Sequence, residues 1–265
     1  MKILIAGASF TGKHLLRYFP EHDVHFLSRN LESPLLPYDS SITYDFLIDT
    51  VPAVMVNGAP VLCYKDVFSD VTGRGARIIH ISSTSVFPDS FTASRESDLP
   101  VFDETSATAP EGDSGRERLA LEKLILDTFP GSIILRAGGI YGPGRCVALQ
   151  IANGDFSRAT SGNKMVSRIH VHDLCKLALA LGQRSARKMP VPFLVHAVDP
   201  NPCVNSQIFE FLEDLLKITI PGNWRSQTVT GRTIRSMYTS DLIEFTYPGF
   251  REGFAAVLKE SSKVG

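Results

Sequence analysis

The chain has 265 residues, of which 43% are hydrophobic, and its 27 basic and 28 acidic residues give a net charge of −1. A chain of this length and composition can bury a sizeable core, which excludes a largely disordered protein. The balanced charge offers no basis for binding nucleic acid or an anionic membrane surface, so we expect a small-molecule partner. The sequence leaves the oligomeric state open.

Four cysteines are spread along the chain without a Cys-x-x-Cys pair: Cys63, Cys146, Cys175 and Cys203. This spacing indicates reduced thiols, with neither a disulfide framework nor a zinc site. The apolar start at residues 1–7 is too short for a signal peptide, and no other apolar run approaches the length of a membrane span. We therefore expect a cytoplasmic protein without a membrane partner.

The first elements follow a strand-loop-helix-strand order. Residues 2–6 are a continuous apolar run, which is typical of a strand buried on both faces of a parallel sheet. The pattern predicts a helix over 12–19 and a second strand over 24–27, the length of a nucleotide-binding unit. Residues 30–44 are rich in Pro, Ser and Asp, and neither a third strand nor a crossover helix can be placed there.

A glycine-rich turn, Gly7-Ala8-Ser9-Phe10-Thr11-Gly12, joins the first strand to the first helix. In a dinucleotide-binding turn the first glycine permits a tight bend, the second lets the backbone approach the pyrophosphate, and the third lets the helix pack on the strand. Ser9 stands at the second place, where its side chain either crowds the pyrophosphate or hydrogen-bonds to it. The turn predicts cofactor contacts from Gly7, Ser9, Phe10, Thr11 and Gly12. A tight turn without a ligand is the alternative.

The second strand ends in Ser28-Arg29-Asn30, at the position that distinguishes the two nicotinamide dinucleotides. An acidic residue here binds the ribose hydroxyls of NAD, whereas a cation accommodates the extra phosphate of NADP. Arg29 can pair with a phosphate and Ser28 adds a neutral donor, so we predict NADP, with NAD as the alternative. Further cofactor contacts are predicted at Val51, Pro52, Ser82, Gly138 and Gly139.

Strands and helices continue to alternate along the chain. The predicted elements are a strand at 46–51, a helix at 61–71, a strand at 77–81, a helix at 114–129, a strand at 133–135, helices at 147–152 and 173–182, a strand at 193–198 and a helix at 206–217. This order predicts an α/β fold, with a Rossmann-like doubly wound parallel sheet and a small C-terminal substrate lobe. We assign residues 1–145 to a dinucleotide-binding domain and 146–265 to the lobe, with about 169–199 completing the sheet.

Five further segments have residue patterns whose order along the chain is informative: 81–87, 103–105, 135–145, 168–173 and 247–253. Together with the glycine-rich turn they resemble the extended short-chain dehydrogenase/reductase superfamily, which contains nucleotide-sugar epimerases and dehydratases. The resemblance spans most of the chain. It implies a bound nicotinamide dinucleotide and an epimerase/dehydratase-like oxidoreductase acting on a nucleotide sugar or a small carbonyl compound.

The resemblance also implies catalytic positions, and there the chain departs from the family pattern. The substrate-orienting serine of the family falls on Ser83, although a serine that closes a strand is the alternative. The acid/base pair Tyr-x-x-x-Lys falls on Ser114 and Arg118, which indicates an atypical subgroup. A serine without a general base is a poor proton carrier, and an always-charged arginine cannot shuttle protons. We therefore expect ordinary family chemistry to be impaired.

Three functions stay open at this point. An oxidoreductase or epimerase would need another proton carrier, and the candidates by residue type are Tyr38, Tyr141, His170 and His172. An NADP(H)-binding sensor or regulatory protein would bind the cofactor without turnover. The third is a scaffold with a vestigial nucleotide site.

Several other residues have structural interpretations. Asp173 is predicted to cap the helix that follows it. His170 and His172 are expected on one face of an extended segment, and without a third ligand we predict no metal. Arg145 is a candidate contact for a substrate phosphate. The aromatic residues of the C-terminal third are expected to pack in the lobe: Phe209, Phe211, Trp224, Phe245, Tyr247, Phe250 and Phe254.

Overall fold

The computed structural model describes residues 1–29, 31 and 35–262, so Asn30, a predicted cofactor contact, lies outside the described residues. The strands are β1 (Lys2–Ala6), β2 (Asp23–Leu27), β3 (Leu36–Pro37), β4 (Phe46–Asp49), β5 (Val54–Val56), β6 (Ala59–Val61), β7 (Arg77–Ser83), β8 (Thr92–Ala93), β9 (Val101–Phe102), β10 (Ile133–Ala137), β11 (Gly139–Tyr141), β12 (Asn163–Val166), β13 (Arg168–His170), β14 (Leu194–Ala197), β15 (Cys203–Val204), β16 (Val229–Thr230) and β17 (Thr233–Ile234). The helices are α1 (Phe10–Tyr18), α2 (Lys65–Gly73), α3 (Asp113–Thr128), α4 (Val147–Ala152), α5 (Val171–Ala186), α6 (Asn205–Leu216), α7 (Thr239–Leu242) and α8 (Phe250–Ser261).

Seven parallel strands form the main sheet, in the order β14-β10-β7-β4-β1-β2-β3. From β1 the chain adds β2 and then β3 on one side. It then crosses to the other side of β1, where it adds β4, β7, β10 and β14 in turn. This is the strand order of the doubly wound Rossmann fold. The predicted fold class is confirmed.

The third strand lies in the segment where the sequence could not place one. β3 pairs with β2 at the edge of the sheet, through Leu36 opposite His25 and Pro37 opposite Phe26. Two residues are too few to show a periodicity, and proline is tolerated in a strand mainly at such an edge. The segment therefore carries no readable strand pattern.

Helices cover both faces of the main sheet. Because side chains alternate along a strand, Ile3 and Ile5 of β1 point into the core shared with α1 and α5, whereas Leu4 joins the opposite core. That opposite core includes Leu47 of β4 and is covered by α2, and α3 packs on Ile134 of β10. The sheet is thus buried on both faces, as its continuous apolar strands predict.

A smaller mixed sheet runs β15-β12-β16-β8, with β12 antiparallel to β15 and parallel to β16. A separate core gathers most of the aromatic residues predicted to pack in the lobe: Phe209, Phe211, Trp224, Phe250 and Phe254. Two of the predicted residues do not join it. Phe245 packs against the core of the main sheet instead, and the Tyr247 ring lies 4.1 Å from the His170 ring.

The start of α5 corrects two predictions. The N-cap is His170, whose Nδ1 accepts a hydrogen bond of 3.1 Å from the His172 amide, so the prediction of Asp173 as the cap was wrong. Asp173 is buried in the first turn, and its carboxylate accepts 2.8 Å hydrogen bonds from the amides of Thr246 and Tyr247. His172 is also helical, so the two histidines do not share one extended segment.

Candidate functional site

The strand order of the main sheet reverses between β1 and β4, and the carboxyl ends of β1, β4 and β2 lie side by side there. Open α/β sheets bind ligands at such a switch point. We call residues 7–12, 28–29 and 50–52 the switch-point crevice. Val51 and Pro52, both predicted cofactor contacts, follow β4 there, the first half-buried and the second exposed.

Gly7 makes the tight bend at the end of β1. Its φ is +90°, and a Cβ at this position would lie 2.8 Å from Thr50 Oγ1. The same Thr50 hydroxyl lies 2.8 Å from the carbonyl oxygen of Ala6 and 3.2 Å from that of Gly7, so it ties the end of β4 to the turn. Both the backbone conformation and the lack of space therefore require glycine at position 7.

Gly12 lets α1 lie close to the sheet. A Cβ here would lie 3.0 Å from Ile5 Cγ2 and 3.2 Å from Phe26 Cε1, in the side chains of β1 and β2. This is the role of the third glycine in a dinucleotide-binding turn, close packing of helix on strand. The structure thus gives Gly7 and Gly12 the two roles that the sequence predicts for them.

Ser9 is the N-cap of α1. Its Oγ accepts a 3.2 Å hydrogen bond from the Gly12 amide, and its carbonyl accepts a 3.0 Å bond from the Lys13 amide. Among the described residues, the amides of Phe10 and Thr11 have no hydrogen-bond partner. Unpaired amides at a helix N-terminus, together with the helix dipole, make an anion-binding position.

Ser28 and Arg29 lie directly beside this turn. The Gly7 amide donates a 2.9 Å hydrogen bond to the Leu27 carbonyl, which holds the end of β2 against the turn. Ser28 is half-buried and Arg29 is exposed. The cation therefore stands at the edge of the crevice, accessible to a ligand.

A buried network joins β7, α3 and β10 next to the crevice. The Ser82 hydroxyl donates to the Glu122 carboxylate, which also accepts hydrogen bonds from Nε and NH2 of Arg136, at 3.1 and 2.8 Å. All three residues are buried. The Ser82 hydroxyl, predicted as a cofactor contact, is therefore engaged within the protein.

Ser83 ends β7 and is half-buried. Its Oγ accepts a 3.2 Å hydrogen bond from the Ser85 amide and so caps the short 3-10 turn Thr84–Val86. This is the strand-closing role that the sequence left as the alternative. Since Oγ serves as the acceptor in that bond, the hydroxyl hydrogen remains for donation to another group.

Ser114 and Arg118 lie in the first two turns of α3. Ser114 is exposed and Arg118 is half-buried, and neither side chain has a partner among the described residues. A Cβ on Gly115 would lie 2.3 Å from the Ser85 carbonyl oxygen, so this part of α3 packs directly on the turn that follows Ser83. The structure thus brings the three predicted catalytic positions to adjoining segments, without a group that would activate the Ser114 hydroxyl.

Gly138 and Gly139 follow β10. A Cβ on Gly138 would lie 2.6 Å from the Ser167 carbonyl oxygen and 2.9 Å from Val198 Cγ1, so glycine is needed there for close packing within the protein. Gly139 is exposed and lies in the wall of a cavity. Only Gly139 of the two predicted contacts therefore faces open space.

This cavity has a volume of about 850 Å³ and lies beside the small lobe. We call it the lobe cavity. Its wall combines apolar residues, among them Ile208, Phe209 and Phe254, with several charged ones. The cations are Arg145, Arg158, Lys164, Arg168 and Arg232, and the acid is Asp89. The excess of positive charge favours an anionic ligand.

Asp89 pairs with two of these cations and offsets one of their two charges. Its carboxylate pairs with Lys164 and with Arg232. Arg232 also donates a 2.7 Å hydrogen bond to the carbonyl oxygen of Thr84, the residue after Ser83. One wall of the lobe cavity is thereby linked to the segment that carries the predicted substrate-orienting serine.

Arg145 lies between the two sites. It lines the lobe cavity, and its guanidinium stands 5.7 Å from the centre of the Phe10 ring at the start of α1. The switch-point crevice and the lobe cavity therefore adjoin. The sequence offers Arg145 as a phosphate contact or, as the alternative, a surface arginine, and the structure shows it exposed beside both sites.

Three of the four candidate proton carriers are engaged elsewhere or are not tuned for proton exchange; the fourth, His172, is half-buried with its Nδ1 3.5 Å from Asp173 Oδ1. Tyr141 lines the lobe cavity, but its hydroxyl donates to the Gly249 carbonyl oxygen at 3.2 Å, and burial raises its pKa above the ordinary value. The Tyr38 hydroxyl donates to Asp70 of α2 at 3.1 Å. Burial lowers the pKa of His170 to about 4. Neither a phenol of raised pKa nor a neutral buried imidazole is tuned for proton exchange near neutral pH.

Sequence reasoning missed the charged wall of the lobe cavity. Arg168 opens a segment that the resemblance already included, yet nothing in the sequence marks it as buried. Asp89, Lys164 and Arg232 come from separate segments, so no local motif could join them.

Within the described residues, no group of three or more side chains could hold a metal ion. No helix in the described parts of the chain has the length and apolarity that crossing a membrane requires.

The fold and the crevice define a class, the Rossmann-type α/β fold with a dinucleotide turn and an added lobe. No protein-family model matches the sequence. Part of the chain is similar to dTDP-4-dehydrorhamnose reductase of Mycobacterium tuberculosis, with 30% identity over 118 residues. That match covers 43% of this chain and 38% of the reductase, so it spans well under half of the relative.

Solved structures are similar over the whole chain. A candidate NAD-dependent epimerase/dehydratase of Methylobacillus flagellatus is 21% identical, with a TM-score of 0.75 and 98% of both chains covered. MoeE5 in complex with UDP-glucose and NAD is 17% identical, with a TM-score of 0.74 and coverage of 100% of this chain and 99% of that one. UDP-glucuronic acid 4-epimerase of Bacillus cereus in complex with NAD is 15% identical, with a TM-score of 0.69 and the same coverage. At these identities the likeness concerns the fold.

Proposed function

We propose that the chain is a nicotinamide-dependent oxidoreductase of the epimerase/dehydratase type, with its dinucleotide in the switch-point crevice and its substrate in the lobe cavity. The observation that carries the proposal is the turn at residues 7–12. A Cβ on Gly7 would lie 2.8 Å from Thr50 Oγ1 and one on Gly12 would lie 3.0 Å from Ile5 Cγ2, and among the described residues the amides of Phe10 and Thr11 lie unpaired at a helix N-terminus. A bound nicotinamide would supply hydride transfer.

NADP(H) is the proposed dinucleotide. Arg29 stands exposed at the end of β2, beside the glycine-rich turn, where an extra phosphate could pair with it. The related folds MoeE5 and UDP-glucuronic acid 4-epimerase carry NAD in their solved complexes, so NAD is the comparison ligand. The preference rests on Arg29 and on the absence of an acidic residue at 28 and 29.

A nucleotide sugar is the proposed substrate class, with a small carbonyl compound as the alternative. The lobe cavity adjoins the crevice through Arg145, is large enough for such a ligand, and carries an excess of cations. Ser83 would orient the reacting oxygen with its free hydroxyl hydrogen.

We further propose that residues 1–145 and about 169–199 form the dinucleotide-binding part, with the lobe drawn from the remainder. A cytoplasmic location stays a prediction.

A second candidate function is a protein that binds NADP(H) without turnover, as a sensor or regulator. The observation that favours it is the start of α3, where Ser114 is exposed and without a partner. Neither Ser114 nor Arg118 can exchange a proton as a tyrosine and lysine pair does. A third possibility from the sequence, a vestigial site, requires that no dinucleotide binds.

The experiment follows the nicotinamide absorbance of NADPH incubated with the protein and a panel of UDP-sugars, dTDP-sugars and simple carbonyl compounds. Consumption of NADPH that depends on one panel member, or epimerisation detected by chromatography in parallel incubations with NADP+ as the hydride acceptor, supports the enzyme. Dinucleotide that binds in stoichiometric amount, is not consumed and yields no changed sugar in either set of incubations supports the second candidate. A chain that binds neither NADPH nor NADH contradicts both.

A further inference from the structure

Arg168 is a buried cation without an ion pair among the described residues. The residue is 7% exposed and lies in the wall of the lobe cavity. Its Nε has no hydrogen-bond partner, and none of the ion pairs among the described residues includes it. Burial of a charge without a partner is costly, so such a group normally marks a position where a ligand supplies the missing charge.

The surroundings of Arg168 hold its guanidinium without neutralising it. Its central carbon lies 5.3 Å from the centre of the Phe254 ring and 6.0 Å from that of Tyr141. Ring faces attract a cation and restrict its movement, yet they supply no hydrogen-bond acceptor for its N–H groups. The guanidinium is thus held in one orientation, and its N–H groups remain available to donate hydrogen bonds to a ligand.

One acid, Asp199, lies near enough to influence Arg168, but no hydrogen bond or ion pair joins the two side chains among the described residues. Burial raises the pKa of Asp199 to about 8, against the opposing effect of the nearby Arg168 charge. Its Oδ2 also lacks a hydrogen-bond partner among the described residues. Asp89, the acid of the cavity wall, is occupied by Lys164 and Arg232.

We propose that Arg168 anchors an oxyanion of the ligand, a phosphate or a carboxylate, against the wall of the lobe cavity. The guanidinium presents paired N–H donors in the plane that such a group accepts. The inference rests on the proposed function in taking the lobe cavity as the substrate site, and it makes a negatively charged group a requirement for binding.

The test uses two pairs of probes, each with an anion and its neutral counterpart: uridine diphosphate with uridine, and D-glucuronate with D-glucose. Isothermal titration calorimetry measures all four against the wild type, Arg168→Met and Arg187→Met. Arg187 is exposed at the end of α5 and outside the cavity wall, so it controls for loss of an arginine. The wild type and Arg187→Met should bind at least one anion more tightly than its counterpart, and Arg168→Met should lose about 10- to 100-fold of that affinity. The pair that responds identifies phosphate or carboxylate.

The inference is overturned if the wild type shows no preference for either anion, or if Arg168→Met binds both anions as Arg187→Met does. If Arg168→Met melts before the assay temperature, Arg168→Lys takes its place, since it keeps the charge and loses the paired donors. A loss of anion affinity in that variant supports the inference, and an unchanged affinity contradicts it. NADPH is titrated separately. Anion binding without NADPH binding refutes the proposed function alone, and NADPH binding without an anion preference refutes the inference alone.

Discussion

The switch-point crevice and the start of α3 differ in how strictly the protein specifies them. In the crevice, Gly7 and Gly12 have neighbours within 3.0 Å of any added Cβ, and Ser9 caps the helix. At the start of α3, Gly115 is confined even more tightly, since an added Cβ would lie 2.3 Å from the Ser85 carbonyl oxygen, but the flanking Ser114 is exposed and has no partner among the described residues. The start of the helix is therefore closely packed, while the side chain at the predicted acid/base position is exposed.

In the proposed function, dinucleotide binding and proton transfer therefore rest on separate residues of the same fold. The backbone that would hold a cofactor depends on steric fit, which tolerates little change. Proton transfer depends on one or two side chains, which can change without disturbing the fold. Four of the five predictions that follow act on one side of this comparison, and the one for His170 concerns the start of α5.

The largest effect is expected at the network that holds α3 to the sheet. Glu122→Gln removes the charge that pairs with buried Arg136, so the free energy of unfolding should fall by about 3 to 5 kcal/mol. Urea denaturation measures it. Glu117→Gln, on the same helix and half-buried without an ion pair, is the matched control. Equal stabilities of the two variants would show that the network does not anchor α3.

His170 should make the packing of α1 and α5 sensitive to acid. Its pKa is lowered from 6.5 to about 4, so below 6.5 the unfolded chain takes up a proton that the folded chain does not. Stability is therefore full above pH 6.5 and falls as the pH drops toward 4, by up to roughly 3 kcal/mol. His170→Asn keeps a side chain that can cap α5 and removes the titration. Its unfolding free energy should fall less than that of the wild type between about pH 7 and about pH 5; parallel curves would contradict the assignment.

Gly7→Ala tests the steric requirement of the crevice. The new Cβ would meet Thr50 Oγ1 at 2.8 Å on a backbone with φ of +90°. We expect dinucleotide affinity to fall by roughly 10- to 100-fold. Gly75→Ala is the control, because its φ is +100° with no atom within 4 Å of the added Cβ. Similar dinucleotide affinity in both variants would remove Gly7 from the binding site.

Arg29 sharpens the choice between the dinucleotides. Arg29→Ser removes the cation beside the turn, so the affinity for NADPH should fall by about tenfold while that for NADH stays the same. Fluorescence titration of both dinucleotides against both proteins measures the ratio. An equal loss for NADPH and NADH would mean that Arg29 does not contact the extra phosphate.

The smallest effect is expected at the predicted acid/base position. Ser114→Ala deletes an exposed hydroxyl without a partner, so the free energy of unfolding should change by less than about 0.5 kcal/mol, and NADPH affinity should not change. A larger loss of NADPH affinity would place Ser114 in the cofactor site and narrow the difference between the two regions.

Most of the fold could be predicted from sequence because its strands are buried on both faces. Continuous apolar runs such as 3–6 and 46–48 need no long-range information to be recognised, and the helix Val147–Ala152 was predicted at its observed bounds. β3 was not predicted because a strand of two residues at the sheet edge is too short to show a hydrophobic periodicity. The cap of α5 was misplaced because Asp173 is a common capping residue, whereas its carboxylate bonds the chain at residues 246 and 247.

The candidate site divides in the same way. The turn at Gly7 to Gly12 is local, so its geometry could be predicted from the order of residues alone. The lobe cavity is assembled from distant segments, and the burial of Arg168 depends on Tyr141 and Phe254, which reach it only in the folded chain. The spacing of residues along the sequence does not predict such contacts, so the charged wall of the lobe cavity could be identified only from the structure.

Calorimetric titration of NADPH and of NADH into the purified protein tests the central claim most directly. We expect one dinucleotide to bind per chain, and we expect NADPH to bind more tightly than NADH. The Gly7→Ala substitution should greatly lower both affinities. Absence of heat for both dinucleotides, with the protein shown to be folded by its thermal melting curve, would contradict it.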